Sequence, residues 1–367
     1  MESSCLPQQS ENRLTFAPGD GFHAAIRQRI DDYFRRTGRR QRDCPEMYRK
    51  LAIILTWFAV SYALLVFVAT VWWQAVPLAF ALGVAMAAIG FNVQHDGGHH
   101  AVSDHLWINK LMAMSLDMVG GSSYVWHWKH GVLHHTYVNI LGHDDDIDLG
   151  FLARLTPHRK RLKIHRFQHW YMWALYGMVA MKWQLFDDFR NVLTGRIGTS
   201  RLPRPRGWDL VTFLMGKVVF LTLAFGVPML LHRWWVVCLF YIGVSCVTGI
   251  VLGVVFQLAH CVGEAEFPLP QGEPARIDNG WAVHQVQTTV NFARTSRLAA
   301  WMLGGLNFQI EHHLFPRICH VNYPELSRVV EQTCREFGVR YAEHKTFWGG
   351  LAAHYRWLRE LGRPLRA

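Results

Sequence analysis

Long stretches without a single charged residue alternate along this chain with stretches rich in charge. Residues 51–94 contain no Asp, Glu, Lys, Arg or His. Residues 234–259 are equally free of charge, and 210–231 hold only Lys217. A helix that crosses a bilayer needs ~20 apolar residues. The pattern therefore predicts an all-α integral membrane protein with four transmembrane helices in two hairpins, at about 51–73, 76–94, 210–231 and 234–259. Trp72, Trp73, Gln74 and Pro77 mark the expected first hairpin tip, and His232 and Arg233, followed by Trp234 and Trp235, mark the second. Tryptophans there suit the interfacial belt. Core helices of a soluble protein do not need uncharged runs of this length.

Between and after the hairpins the polar stretches predict a cytosolic cap. Two shorter apolar patches, 106–119 and 170–181, are interrupted by Lys110 and Asp117 or closed by Lys182. They predict helices lying in the membrane interface. "YPELSRVVEQTCREFG" from Tyr323 predicts a helix, with Pro324 at its start and Gly338 at its end. The expected organisation is a cytosolic arm (1–50), one membrane-and-cap domain (51–338) and a cytosolic tail (339–367).

Charge then orients the hairpins. The net charge is +11, and it is unevenly placed. Arg35, Arg36, Arg39, Arg40, Arg42, Arg49 and Lys50 precede the first span, and Arg154, Arg159, Lys160, Arg161, Lys163, Arg166, Arg201, Arg204 and Arg206 fill the centre. The tips carry Arg233 alone. By the positive-inside rule both termini and the centre face the cytosol. The surplus is a topology signal and an affinity for anionic lipid, which leaves nothing that calls for nucleic acid. The first 45 residues have no apolar core of the signal-peptide kind. Seven cysteines form no CxxC pair, so no disulfide framework or zinc ribbon is expected.

The histidines change the picture from a membrane protein to a membrane metalloprotein. None of the 21 lies inside a predicted span; they gather just beyond span ends. In "HDGGHH", His95 and His99 are one helical turn apart and share a face, and this register favours His99 over His100. In "HWKHGVLHHTYVN", His130 and His134 repeat the spacing, with His135 about 100° away and able to reach a neighbouring metal; His127 reads as an outer or surface residue. In "GGLNFQIEHHLFP", His312 and His313 are adjacent and point to different sides, with Gln309 one turn before His313. The fourth predicted span is longer than a bilayer needs and projects His260 into the cytosol beside the other clusters. Eight imidazoles, with His100 a ninth candidate, exceed the three or four of a mononuclear zinc site and suit two metals. No ExxH or HExxH occurs, which sets aside the carboxylate di-iron bundle and the zinc protease.

Three such boxes in this order, "HDGGHH", "HGVLHH" and "QIEHH", around paired hydrophobic hairpins, resemble the membrane fatty acid desaturase family. The similarity runs from about residue 51 to 338 and includes "GHDDDIDLG" and "HLFPRICHVNYPEL". It implies four spans under a cytosolic cap carrying the boxes, a centre of two iron ions held by histidine, and O2-dependent removal of two hydrogens from an acyl chain. By box position it assigns His95, His99, His130, His134, His135, His312 and His313 as ligands, with His260 where the family often places another. Gln309 stands in place of a histidine, as in the front-end subgroup, which desaturates between an existing double bond and the carboxyl end. The HPGG haem loop of a fused cytochrome b5 is absent from the sequence, so a separate donor such as ferredoxin or cytochrome b5 with its reductase is expected. The substrate is an acyl-CoA or a phospholipid acyl chain.

Around the boxes, Asp96 and Asp144, Asp145, Asp146 and Asp148 are candidates to accept from ligand N–H groups; the alternative is a solvated acidic loop. Asn139 and Asn307 sit next to boxes, where they could hold water or a polar group of the substrate, the alternative being ordinary loop capping; Asn139, Asp144 and Gln309 are the expected cofactor neighbours. The basic segments "PHRKRLKIHR" and "RLPRPR" read as acyl-CoA phosphate or donor contacts, or as topology and lipid attraction. A hydroxylase on the same scaffold is the nearest rival. A bis-histidine cytochrome needs histidines inside spans, a metal transporter needs polar ligands at mid-membrane, and a zinc hydrolase needs a general base and fewer ligands.

Overall fold

Four helices among the described residues are long and apolar enough to cross a membrane: Pro45–Val68, Trp72–Gly98, Trp208–Leu231 and Trp234–His260. The structure is a computed structural model that describes residues 14–19 and 21–364. These spans, numbered 1 to 4 in chain order, form two hairpins, as expected. Their ends differ from the hydropathy reading for local reasons. Span 1 begins earlier, with Cys44 extended at the N-cap and Pro45 in the first turn, where its fixed φ costs no helical hydrogen bond. The first tip is the break at Ala69–Val71, and Trp72–Ala88 is already helix. Pro77 lies inside that helix, beyond its first turn, where it has no backbone N–H to donate.

The helix Gln168–Lys182, expected in the interface, lies against span 4. Met172, Tyr176 and Ala180 make its buried stripe at four-residue intervals. The approach is close because span 4 presents glycine there: a Cβ on Gly249 would fall 2.4 Å from the Tyr176 carbonyl oxygen.

The cap is helical too. The arm helix Phe22–Thr37 buries Phe22, Ile26, Ile30 and Phe34, one amphipathic stripe, against the helix Tyr323–Glu336. Two parallel strand pairs stitch distant segments: Thr15–Phe16 beside Arg276–Ile277, and Asn291–Phe292 beside Glu343–His344. The tail segment is built into this cap. Its helix Phe347–Leu361 places His354 between the Tyr176 hydroxyl and the Cys261 carbonyl, each at 2.7 Å. Part of the central basic stretch is structural as well. Arg154 donates to the carbonyls of Arg159, Pro157 and Leu361, and Arg161 donates to that of Gly362.

At the cap end of span 3 the Lys217 ammonium meets Asp188 at 2.7 Å and the Gly120 carbonyl at 2.7 Å. Asp117 lies beside this pair, 5% exposed, with Oδ2 unpartnered. Burial pushes its carboxyl up to about 6 against hydrogen bonds from Ser123, and the Asp188 charge adds to the push. A carboxyl raised above its unfolded value of about 3.9 stabilises the fold when protonated. That stability is lost as pH rises through about 6. Two pK units correspond to roughly 3 kcal/mol, so Asp117→Asn is expected to melt higher than the wild type at pH 7.5. Its advantage narrows at pH 5, and melting curves at the two pH values in detergent check this.

Candidate metal centre

Where the cap closes over spans 2 and 4, eight imidazoles come together. His95 opens the last helical turn of span 2, which ends at Gly98 with His99 directly after, and His260 is the last residue of span 4. His130, His134 and His135 come from residues 123–137, and His312 and His313 from the helix Gln309–Leu314. All eight are buried, none more than 7% exposed.

Local backbone form brings them to one place. Span 2 loosens into a π turn over Ile89–Gln94, just before His95, and the second box is π-helical over His127–His134. Such turns hydrogen-bond five residues apart and recur at functional sites. His130 and His135 are five apart, and their Nε2 atoms lie 3.2 Å from each other. This is how His135 enters the cluster, in place of the 100° offset an α-helix would give. The glycines of "HDGGHH" allow close contact: a Cβ on Gly97 would meet Ala113 and Met112 at 2.6 Å, and one on Gly98 would meet the Trp126 ring at 2.2 Å.

The imidazoles sort into two adjacent groups able to hold metal ions. Nitrogens of His95, His99, His130 and His312 lie within 4.8 Å of one another, and so do those of His134, His260 and His313. His135 groups with His312 and His313, between the two sets. His130 and His134 stack at 5.1 Å, as their four-residue spacing implies; His130 joins the first group and His134 the second, and the two also form a group with Asp146.

The residues fit metal ions by their unused atoms. Nε2 of His99, His260, His312 and His313 and Nδ1 of His135 are buried without a hydrogen-bond partner. Buried polar groups are nearly always paired, so five orphans in one spot need an occupant. The outer nitrogens are satisfied. His134 Nδ1 donates to Asp144 at 3.1 Å, His260 Nδ1 to the Thr288 carbonyl at 3.4 Å, His312 Nδ1 to the Tyr323 hydroxyl at 3.4 Å, and His313 Nδ1 to Gln285 Oε1 at 2.9 Å. One nitrogen held and one presented is the habit of metal-binding histidine. Burial, and then neighbouring imidazoles, push His99, His130, His135, His312 and His313 well below the ordinary range. They are therefore neutral, the metal-binding form. At His134 burial also opposes the charge, but Asp144 and Asp146 outweigh it and raise the value.

Asp144 receives that N–H while also accepting from the backbone N–H groups of Asn139 (2.9 Å) and Asp146 (3.1 Å). Asp144→Asn is expected to weaken metal retention ~10–100-fold, read as metal bound per chain against chelator concentration.

The other expected residues are placed variously. His100 is exposed and outside the cluster at φ 58°, and His127 is exposed. Asn139 spends its amide on the carbonyls of His260, Glu266 and Thr288, tying backbone under the site. Gln309 is 1% exposed with Oε1 unpartnered, and Asn307 donates to the Ala293 carbonyl. Asp145 and Asp146 pair with Lys129, and Asp148 with Arg159. Asp96 accepts from His320 Nδ1 at 2.8 Å and lies 4.0 Å from His95 Nδ1. Sequence reasoning missed Gln285, Tyr323 and His320, which carry no spacing signal. It also passed over Glu311 inside the third box. That carboxyl, pushed up to about 7 by burial, accepts from Asn291 and Tyr341 and anchors the box helix.

Fold and site together define a four-span membrane protein built around a buried polyhistidine metal-binding centre. Residues 70–345 match the fatty acid desaturase family, and the chain belongs to that family of oxidoreductases. It is similar to the sn-1 linoleoyl-lipid 6-desaturase of Synechocystis sp., 38% identical over 352 residues, covering 96% of this chain and 98% of that protein. The sn-1 linoleoyl-lipid 6-desaturase of Arthrospira platensis is 39% identical over 359 residues, 95% of each chain. The acyl-lipid (8-3)-desaturase of Physcomitrium patens is 35% identical over 355 residues, 94% of this chain and 72% of that one.

Proposed function

We propose that this protein is a front-end acyl-lipid desaturase that uses two iron ions, O2 and electrons from a separate carrier. It inserts a cis double bond between an existing double bond and the carboxyl end of a lipid-bound acyl chain. The observation that carries the reading is the pair of adjacent imidazole groups with five buried, unpartnered nitrogens. His95, His99, His130 and His312 would hold one ion, His134, His260 and His313 the other, with His135 between them. When bound, iron supplies the O2-dependent oxidation of an unactivated methylene that no side chain can perform. Asp144, Gln285, Tyr323 and the Thr288 carbonyl fix the tautomers and aim the inner nitrogens. Burial of all eight rings keeps bulk water from the site.

Two near-full-length relatives named for linoleoyl-lipid support the lipid-bound substrate and the front-end position. Gln309 in the third box agrees with them. The Lys and Arg distribution supports a cytosolic cap with both termini on that side, within reach of a ferredoxin or of cytochrome b5 with its reductase. The test is the fatty-acid profile of a bacterial host making the protein, fed saturated and polyunsaturated acids, with double bonds located by gas chromatography–mass spectrometry. A new olefin on the carboxyl side of an existing double bond supports the reading. A hydroxy acid would move the protein to oxygenation without desaturation, and no product with a supplied donor would remove the acyl substrate.

A further inference from the structure

A lysine is almost never buried without a partner, and the partner of Lys50 leads to the metal centre. Lys50 lies in the second turn of span 1, 4% exposed, over the Trp301 ring at 5.5 Å. The sequence counts it with the positive charges of the arm. The structure turns it inward instead, and its Nζ meets His320 Nε2 at 2.7 Å.

That contact fixes where the ring carries its proton. Lysine offers only donors, so Nε2 accepts and the N–H is on Nδ1. This N–H donates to Asp96 Oδ2 at 2.8 Å, and the His320 backbone N–H donates to the same oxygen at 3.3 Å. The other carboxylate oxygen, Oδ1, faces His95 Nδ1 at 4.0 Å. His95 turns its opposite nitrogen, Nε2, toward His130 Nε2, 3.2 Å away within the first imidazole group. Lys50, His320 and Asp96 thus form one buried line that ends beside the outer nitrogen of a metal ligand.

The line joins three separate parts of the chain: the start of span 1, the segment after the third box, and the first box itself. Asp96, Cys319 and His320 also have the residue types of a metal site. Both ring nitrogens of His320 are already engaged, however, and Lys50 stands in the place of a cation. The line is therefore read as a support for the centre beside it. In the second group Asp144 serves His134 Nδ1 in this way, and in the first Tyr323 serves His312 Nδ1. For His95 the carboxylate in that place is Asp96.

We propose that Lys50 and His320 are positioning residues that hold the Asp96 carboxylate toward His95 Nδ1 and so govern how firmly the first imidazole group keeps its ion. The inference rests on the two-ion reading of the centre and extends its support outward to span 1. Without Lys50, His320 loses the contact that keeps its proton on Nδ1, and with it the bond that aims the carboxylate.

The test loads the purified full-length protein with iron(II) under anaerobic conditions. Iron per chain is measured against rising chelator concentration, beside melting curves. The wild type is expected to hold two ions. Asp96→Leu and His320→Ala should release one of them at ~10–100-fold lower chelator, while the other leaves at the wild-type concentration. His320→Asn puts an amide N–H where Nδ1 stood and should recover most of that loss. Lys50→Met, which leaves every box residue and the carboxylate in place, should release the same ion several-fold earlier. Adding Asp144→Asn to Asp96→Leu should release both ions early, since the two carboxylates serve different groups. Variants that keep both ions, whatever their melting temperature, would overturn the proposal. So would both ions leaving together in the single variants, or one ion held at the wild-type level in the double variant. A wild-type chain holding fewer than two ions would instead remove the two-ion reading, and this inference with it.

Discussion

Replacing His313 by alanine is expected to strip metal from the second imidazole group and abolish product formation, while the protein still inserts and folds. The ring is fully buried and belongs both to the group with His134 and His260 and to that with His135 and His312. Its loss therefore removes a donor from each side of the centre. Losing an outer hydrogen-bond partner of a metal ligand costs ~10–100-fold. Losing the ligand itself should exceed that and leave turnover below detection. Gln285→Leu provides the graded comparison, since it keeps the His313 ring but removes the acceptor 2.9 Å from Nδ1. It should fall in the intermediate range and retain some metal. Metal per chain by mass spectrometry, membrane yield and fatty-acid profile are measured together for both variants. Near-normal turnover in His313→Ala would remove that residue from the centre. A collapse in membrane yield would instead report a folding role.

The parts of the fold and site that are legible in the sequence share a cause: they are written in nearby residues. A soluble core has little use for a charge-free run long enough to cross a bilayer, so the spans declare themselves. Box spacings likewise put ring pairs on common faces, whatever the rest of the chain does. Legibility stops where geometry depends on partners far away. The π turns before His95 and through the second box have no period to read in the side chains, yet they decide that His130 and His135 meet. Gln285, Tyr323 and Asn291 look like any glutamine, tyrosine or asparagine until the fold carries them to the boxes. Hydropathy starts span 1 late because its first turns carry Glu46, Arg49 and Lys50, which score as outside. Arg154 and Arg161 read as free positive charge in the sequence, but their donors are committed to backbone carbonyls of the cap.

Lys217→Met is expected to destabilise the protein by ~3–5 kcal/mol, the usual cost of breaking a buried ion pair from one side. An ionisable residue within a span is by default a candidate for transport or proton transfer, and the structure favours a different role. The ammonium is 5% exposed and meets Asp188, the Gly120 carbonyl and, at 3.5 Å, the Gln184 carbonyl, with the rings of Phe189 and Phe213 on either side. It thereby joins span 3 to the loop before the second box and to residues 183–194, which continue the helix packed along span 4. Methionine keeps the stem but leaves the Asp188 carboxylate buried, with Asp117 close by to repel it. Asp188 would relieve part of the strain by taking a proton, since burial already raises its carboxyl. The loss should therefore be smaller at pH 5 than at pH 7.5. Removing both charges in Lys217→Met/Asp188→Leu should recover most of the stability, because well-packed apolar pairs often match buried ion pairs. Turnover per folded molecule should remain near wild type in the double variant if Lys217 is a clamp. A double variant that melts normally yet has lost turnover would assign the pair to the chemistry instead.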